Sequence, residues 1–164
     1  MNLAVAKQKG STYLLQITKD KSMKNSKIIE HLNNILELEV SGVVRYLHYA
    51  LMITGPNRIP IVKWFHDQAN EGYAHASIIG EKITALGGHP SLKVSPVPET
   101  KTHKVLDILK ESLQFEEKAI LMYKALIKQI DPDDIALDEL IREMIRTETE
   151  HIEEVNKMLN IEKN

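Results

Sequence analysis

From Ser26 onward the apolar residues recur at steps of three and four, the spacing of one buried face of an α-helix. The first stripe, Leu32, Leu36, Glu39, Val43, Tyr46 and Ala50, predicts a helix from about Ser26, a suitable N-cap, to Ile53. Gly55-Pro56 breaks it. Pro60 suits the first turn of a second helix, which reaches about Leu86 and stops on Gly87-Gly88. Its stripe is Ile61, Phe65, Gln68, Gly72, His75 and Ile79. A Pro-punctuated connection follows, from His89-Pro90 to Pro98-Glu99, long enough to travel the length of a bundle. The third helix begins near Thr102 on Leu106, Leu109, Leu113, Glu116, Ile120, Tyr123 and Ile127. Asp131-Pro132-Asp133-Asp134 then caps a fourth, whose stripe is Leu137, Ile141, Met144, Glu148, His151, Val155 and Met158. No strand-like alternation competes. The pattern predicts an all-α fold, a four-helix bundle with one long crossover between helices two and three. Hairpins 26–87 and 102–160 leave room for a faint internal duplication.

Residues 1–22 carry no sustained period and read as a loosely ordered, Lys-bearing tail ahead of a bundle spanning 23–164, with Met23 as an alternative start. A length of 164 residues suits one such domain and is too short for two cores. Lys and Arg number 21 against 23 Asp and Glu, a formal net charge of −2 that argues against nucleic acid or an anionic membrane as main partner. There is no cysteine. Thiolate nucleophiles, disulfides, zinc–thiolate sites and iron–sulfur clusters are thereby excluded, and a reducing, cytoplasmic setting is expected. Any bound metal must rest on His, Asp and Glu. No apolar run approaches the ~20 residues of a membrane span, and Tyr13–Ile17 is too short for a secretory segment.

A bundle core should be aliphatic, yet every stripe is interrupted near mid-height by an ionisable residue. These are Glu39, His75, Glu116, and the pair Glu148 and His151, which a step of three puts on one face. Burying a carboxylate without a partner is costly, and the core-facing positions hold no Lys or Arg at matching heights. Singly, each Glu reads as a solvated helix residue. Together, three carboxylates and two imidazoles converging in a cysteine-free core point to one or two divalent cations. Mixed oxygen and nitrogen donors suit iron or manganese, with zinc as a competitor.

These residues and their spacing resemble bacterioferritin and its ferritin-like di-iron relatives. The likeness runs from about Met23 to Leu159. It rests on Ile28-Ile29-Glu30-His31-Leu32-Asn33, Glu39 with Tyr46 two turns later, His75-Ala76, Leu86-Gly87-Gly88-His89-Pro90, Glu116 and Glu148-Thr149-Glu150-His151. Glu39 and His75 stand 36 residues apart, and Glu116 and Glu148 stand 32 apart, both close to the family's spacing. The resemblance implies a ferritin-like subunit that binds two iron ions per chain and oxidises Fe(II) with dioxygen or peroxide, for iron storage or detoxification in a homo-oligomer. The metal residues it implies are Glu39, His75, Glu116, Glu148 and His151, and Glu71 is expected to join them as a neighbour of the family position. Glu39 and the second-helix group would hold one iron, Glu116 and His151 the other, with Glu148 bridging. Glu39, Glu116, Glu148 and Tyr46 would carry the oxidation, with Tyr46 open between a one-electron donor and core packing.

Three departures from the family pattern bear on this. Gly72 stands where a bridging Glu is expected three residues before His75. Glu71, turned by about 100°, either reaches the metals from a shifted position or forms an i,i+4 carboxylate pair with Asp67 on the inner surface. Tyr73 stands where the family's haem-ligating Met is expected, which argues against haem. The chain ends at Asn164 without the fifth helix of large shells, so a dimer, a smaller cage or a shell with a wider pore is expected. Two other readings stay open. One is a metal-binding bundle of weak turnover, acting as a partner or regulatory subunit, which Gly72 favours. The other is a DNA-protecting mini-ferritin, which only the Lys-bearing tail suggests. Tyr123 reads as core packing, and His31, His48, His66, His89 and His103 as surface or structural residues.

Overall fold

Four helices carry the chain in a computed structural model that describes residues 3–98 and 101–159, with side chains from Met23 onward. They are α1 (Leu3–Met52), α2 (Arg58–Ala85), α3 (Val105–Ile127) and α4 (Ile135–Leu159), with no strand among the described residues. The fold class is the one the stripes predict. Among the described residues no helix is long and apolar enough to cross a membrane.

The backbone of α1 begins at Leu3, ahead of the Ser26 start expected from the apolar stripe. No proline lies in this stretch, so the backbone can continue through Ser26, which sits inside the helix and caps nothing. The side chains of residues 1–22 lie outside the described residues, and the reading of a separate tail lies there with them.

The other ends follow local chemistry. Gly87 adopts φ +79°. It donates its N–H to the Thr84 carbonyl at 2.9 Å, and Gly88 donates to the Ile83 carbonyl at 2.9 Å, a paired closure of the last turn of α2. At the start of α4 the Leu137 N–H donates to Asp134 Oδ1 at 3.2 Å, the side-chain cap that the aspartate run predicts.

The crossover is fastened to α1 by two polar side chains. Ser91 Oγ donates to Glu37 Oε1 at 2.6 Å, and the Ser91 N–H donates to Asn33 Oδ1 at 2.7 Å. Asn33 Nδ2 returns a bond to the His89 carbonyl at 3.1 Å. The long connection is thus held against the bundle while its prolines keep it extended.

Helix α1 packs on α2, α3 on α4, and α1 also on α3. Two apolar clusters fill the interior. One includes Leu32, Ile35, Ile79, Ile83, Leu126 and Ile141; the other includes Leu38, Tyr49, Phe65, Ile108, Leu109 and Val155. Where one cluster gives way to the other, each helix presents its ionisable residue. A charged layer between two dry ones is screened little by solvent.

Candidate metal centre

Each of the four helices delivers its donors by the same rule: a carboxylate or imidazole occupies a stripe position that burial would otherwise give to an aliphatic residue. Glu39, Glu116 and Glu148 are 5%, 3% and 3% exposed, His75 is buried, and His151 is half-buried. His75 Nδ1 lies 3.0 Å from Glu148 Oε1 and 3.7 Å from Glu39 Oε2. His151 Nδ1 lies 3.3 Å from the other Glu148 oxygen, Oε2. Glu148 therefore sits between the two imidazoles, one oxygen toward each.

Two donor groups result, Glu39–His75–Glu148 and Glu116–Glu148–His151, with donor atoms in each within 4.8 Å of one another. Glu148 belongs to both. The space they surround measures about 10 Å³ and is also walled by Gly42, Tyr46, Gln68, Glu71, Gly72 and Phe115. That is room for a water molecule or a bare ion.

The charges explain why the cluster suits a cation. Burial pushes the Glu39 carboxyl up, and burial together with the neighbouring Glu148 charge pushes Glu116 well above the usual carboxylate range. Burial also works against Glu148, but hydrogen bonds from His151 and His75 outweigh it and hold that carboxyl well below its ordinary value. Desolvation opposes the charged form of both imidazoles as well. The carboxylates prevail, raising His75 to about 10 and His151 to about 9. At neutral pH both rings carry a proton and stand in for the positive charge the carboxylates require. No Lys or Arg forms an ion pair with the three buried carboxylates among the described residues. Divalent cations bind the deprotonated donors and would displace those protons. Oxygen and imidazole donors without thiolate fit iron or manganese, and zinc less selectively.

The structure brings Glu39, His75, Glu116, Glu148 and His151 together. Glu71 stands at the half-exposed mouth, where its Oε2 lies 3.0 Å from His151 Nε2, so it meets the cluster through that ring. The His151 hydrogen bond holds the Glu71 carboxyl below its ordinary value. Asp67, the other member of the expected carboxylate pair, meets Lys63 Nζ at 2.5 Å on the exposed side of α2. Tyr46 lines the cavity, yet its hydroxyl pairs with Ser112 Oγ at 3.2 Å and its ring stacks on Phe65 at 6.0 Å. Among the other histidines, His103 Nδ1 meets the Met52 carbonyl at 2.8 Å, a structural contact.

Two residues at the centre escaped the sequence reading. Tyr123, whose stripe position predicts core packing, also donates its hydroxyl to Glu39 Oε1 at 2.6 Å. Its position seven residues after Glu116, the relation Tyr46 bears to Glu39, was the available signal. Gln68, buried and on the cavity wall, was visible as a polar residue on the second stripe.

A four-helix bundle carrying a buried carboxylate–imidazole cluster is the class that fold and site define. The ferritin-like domain family matches residues 29–163, and the chain belongs to that family. Comparison with curated protein sequences returns no match. Among solved structures, the ferritin-like diiron-carboxylate proteins of Bacillus anthracis are similar at TM-score 0.79 and 29% identity, covering 84% of this chain and 98% of that one. The bacterioferritin of Rhodobacter capsulatus, solved with a metal-free dinuclear site and haem iron, shares the fold at TM-score 0.74 and 21% identity, covering 83% and 85%. A dodecameric thioferritin, the bacterioferritin-related protein of Bacteroides fragilis, shares it at TM-score 0.76 and 23% identity, covering 83% and 86%.

Proposed function

We propose that this protein is a ferroxidase of bacterioferritin type, which takes up Fe(II) at an intra-subunit pair of sites and oxidises it to Fe(III) for storage or detoxification. The observation that carries the proposal is the shared carboxylate: Glu148 lies between His75 and His151 and completes both donor groups. Two Fe(II) substrate ions are bound, one by Glu39 and His75 and one by Glu116 and His151, with Glu148 common to both. Glu71 enters by fixing His151 through Nε2, leaving Nδ1 for the centre.

The reaction is a two-electron transfer. Each Fe(II) loses one electron, and dioxygen accepts both with two protons and leaves as hydrogen peroxide. With peroxide as oxidant, the same electrons and protons give two water molecules. The chain supplies a small cavity, a pair of donor groups that share Glu148, and imidazoles that release their protons as iron enters. Tyr46 stands on the cavity wall as a redox-capable neighbour; the two Fe(II) ions supply both electrons of this reaction, and haem has no part in it.

A homo-oligomer belongs to the same proposal. Val44, Leu47 and Leu51 expose apolar surface along α1 at helical spacing, the kind of face a second subunit covers. A cytoplasmic setting is proposed with it, from the absence of cysteine.

The test is a stopped-flow measurement of Fe(II) oxidation after an air pulse. The proposal expects oxidation much faster than in buffer, lost in Glu148→Ala. Gly72 supports a second reading, a bundle that binds metal but turns over slowly, since one carboxylate of the family pattern is missing. Tight binding with oxidation no faster than in buffer would favour that reading.

A further inference from the structure

On the opposite side of Phe115 from the metal cavity lies a groove of about 630 Å³ between α1, α3 and the end of the crossover. This is the size of a small-molecule site. Arg45 on α1, Lys118 on α3 and Lys101 at the end of the crossover bring three cationic side chains into it, against one carboxylate, Glu111, among the described lining residues. That carboxylate is occupied, accepting the Tyr49 hydroxyl at 3.0 Å. Lys101 and Lys118 form no ion pair among the described residues. A chain of net charge −2 thus concentrates positive charge at one concave place.

Arg45 is the fixed member. Its Nη1 donates to the Tyr49 hydroxyl at 2.8 Å, and its guanidinium carbon lies 5.2 Å from the Phe115 ring centroid. Its Nε is buried and has no hydrogen-bond partner. A guanidinium held against aromatic rings has lost most of its side-chain freedom before any ligand arrives, which favours binding.

We propose that this groove is a binding site for a small oxyanion, a phosphate- or carboxylate-bearing molecule. Its oxygens engage Arg45, Lys101 and Lys118 while its body rests on Leu38, Phe115 and Pro96. The site is independent of the ferroxidase reading, since none of its cationic groups belongs to the metal centre. Because the Phe115 ring walls both spaces, an occupant of the groove touches the partition of the metal cavity from outside.

Calorimetric titration of the metal-free full chain with inorganic pyrophosphate, and separately with citrate, tests this and separates the two oxyanion sources. The expected result is saturable binding of at least one probe, weaker at high salt. Lys101→Ala/Lys118→Ala removes two exposed charges without touching the core and should weaken binding by about tenfold or more. Arg45→Lys, which keeps the charge and loses the planar fork, should weaken it as well. No binding of either probe to the unmodified chain, or binding that both variants leave unchanged, would overturn the proposal.

Discussion

The Tyr123 hydroxyl donates to Glu39 Oε1 at 2.6 Å, reaching from α3 to α1 inside the core. The other oxygen of that carboxylate, Oε2, faces His75 Nδ1 at 3.7 Å. One oxygen of Glu39 is therefore fixed by a phenol while the other is left toward the centre. Removing the phenol alone, in Tyr123→Phe, should cost about 1 kcal/mol of stability in the metal-free protein. Loss of such a supporting contact should also weaken metal binding by about tenfold. Competitive Co(II) titration checks the second effect and urea unfolding the first; unchanged Co(II) affinity would remove Tyr123 from the centre.

Gly72 leaves room for a side chain. A Cβ there would lie 3.5 Å from Val43 Cγ2 and 3.6 Å from the Glu39 carbonyl, both ordinary contacts. Gly72→Ala should therefore stabilise the helix by about 1 kcal/mol. Gly72→Glu should lower the stability of the metal-free protein, because it adds a carboxylate beside Glu39 and Glu148, and raise metal affinity. Thermal unfolding with and without Fe(II) under anaerobic conditions reads both signs, and a lower midpoint in both states would show that the new carboxylate does not reach the metals.

Gly42 is the opposite case. A Cβ there would stand 2.9 Å from two carbons of the Phe115 ring, which is buried and packed edge-on against Tyr46 at 5.9 Å. Gly42→Ala should destabilise by ~1–3 kcal/mol through overpacking, as read from urea midpoints. A neutral result would mean that the ring can slide within its pocket.

The histidines make metal-free stability fall with rising pH. His75 is raised from its usual 6.5 to about 10, and His151 to about 9. A group whose folded value is raised contributes fully below its unfolded value and loses that contribution as pH climbs through the folded one. The metal-free protein should thus lose thermal stability between about pH 7 and pH 10, and His75→Gln/His151→Gln should flatten the decline. The same protons must leave when metal enters. Loading at pH 7 in weak buffer should release protons, measurable with an indicator dye.

Most of the fold is carried by period. Steps of three and four locate the four helices, and the Gly87-Gly88 and Asp134 ends are chemically marked in the chain. The beginning of α1 is not, because Ser26 has the composition of a cap without a preceding break to make it one. At the centre, the five inward donors are legible because each violates an otherwise aliphatic stripe. Tyr123 is not legible in the same way, since a tyrosine satisfies both core packing and hydrogen bonding. Glu71 shows the limit of spacing arguments most clearly. Its offset from Gly72 indicates that it cannot occupy the same position, but only the fold shows it meeting His151 Nε2.

The shared role of Glu148 is tested most directly by anaerobic equilibrium titration of the metal-free chain with Fe(II), beside Glu148→Ala. Two donor groups with one common member predict about two Fe(II) per chain, and loss of both sites in the variant. Retention of one tight Fe(II) in Glu148→Ala, or a single site in the unmodified chain, would contradict a centre built on one bridging carboxylate.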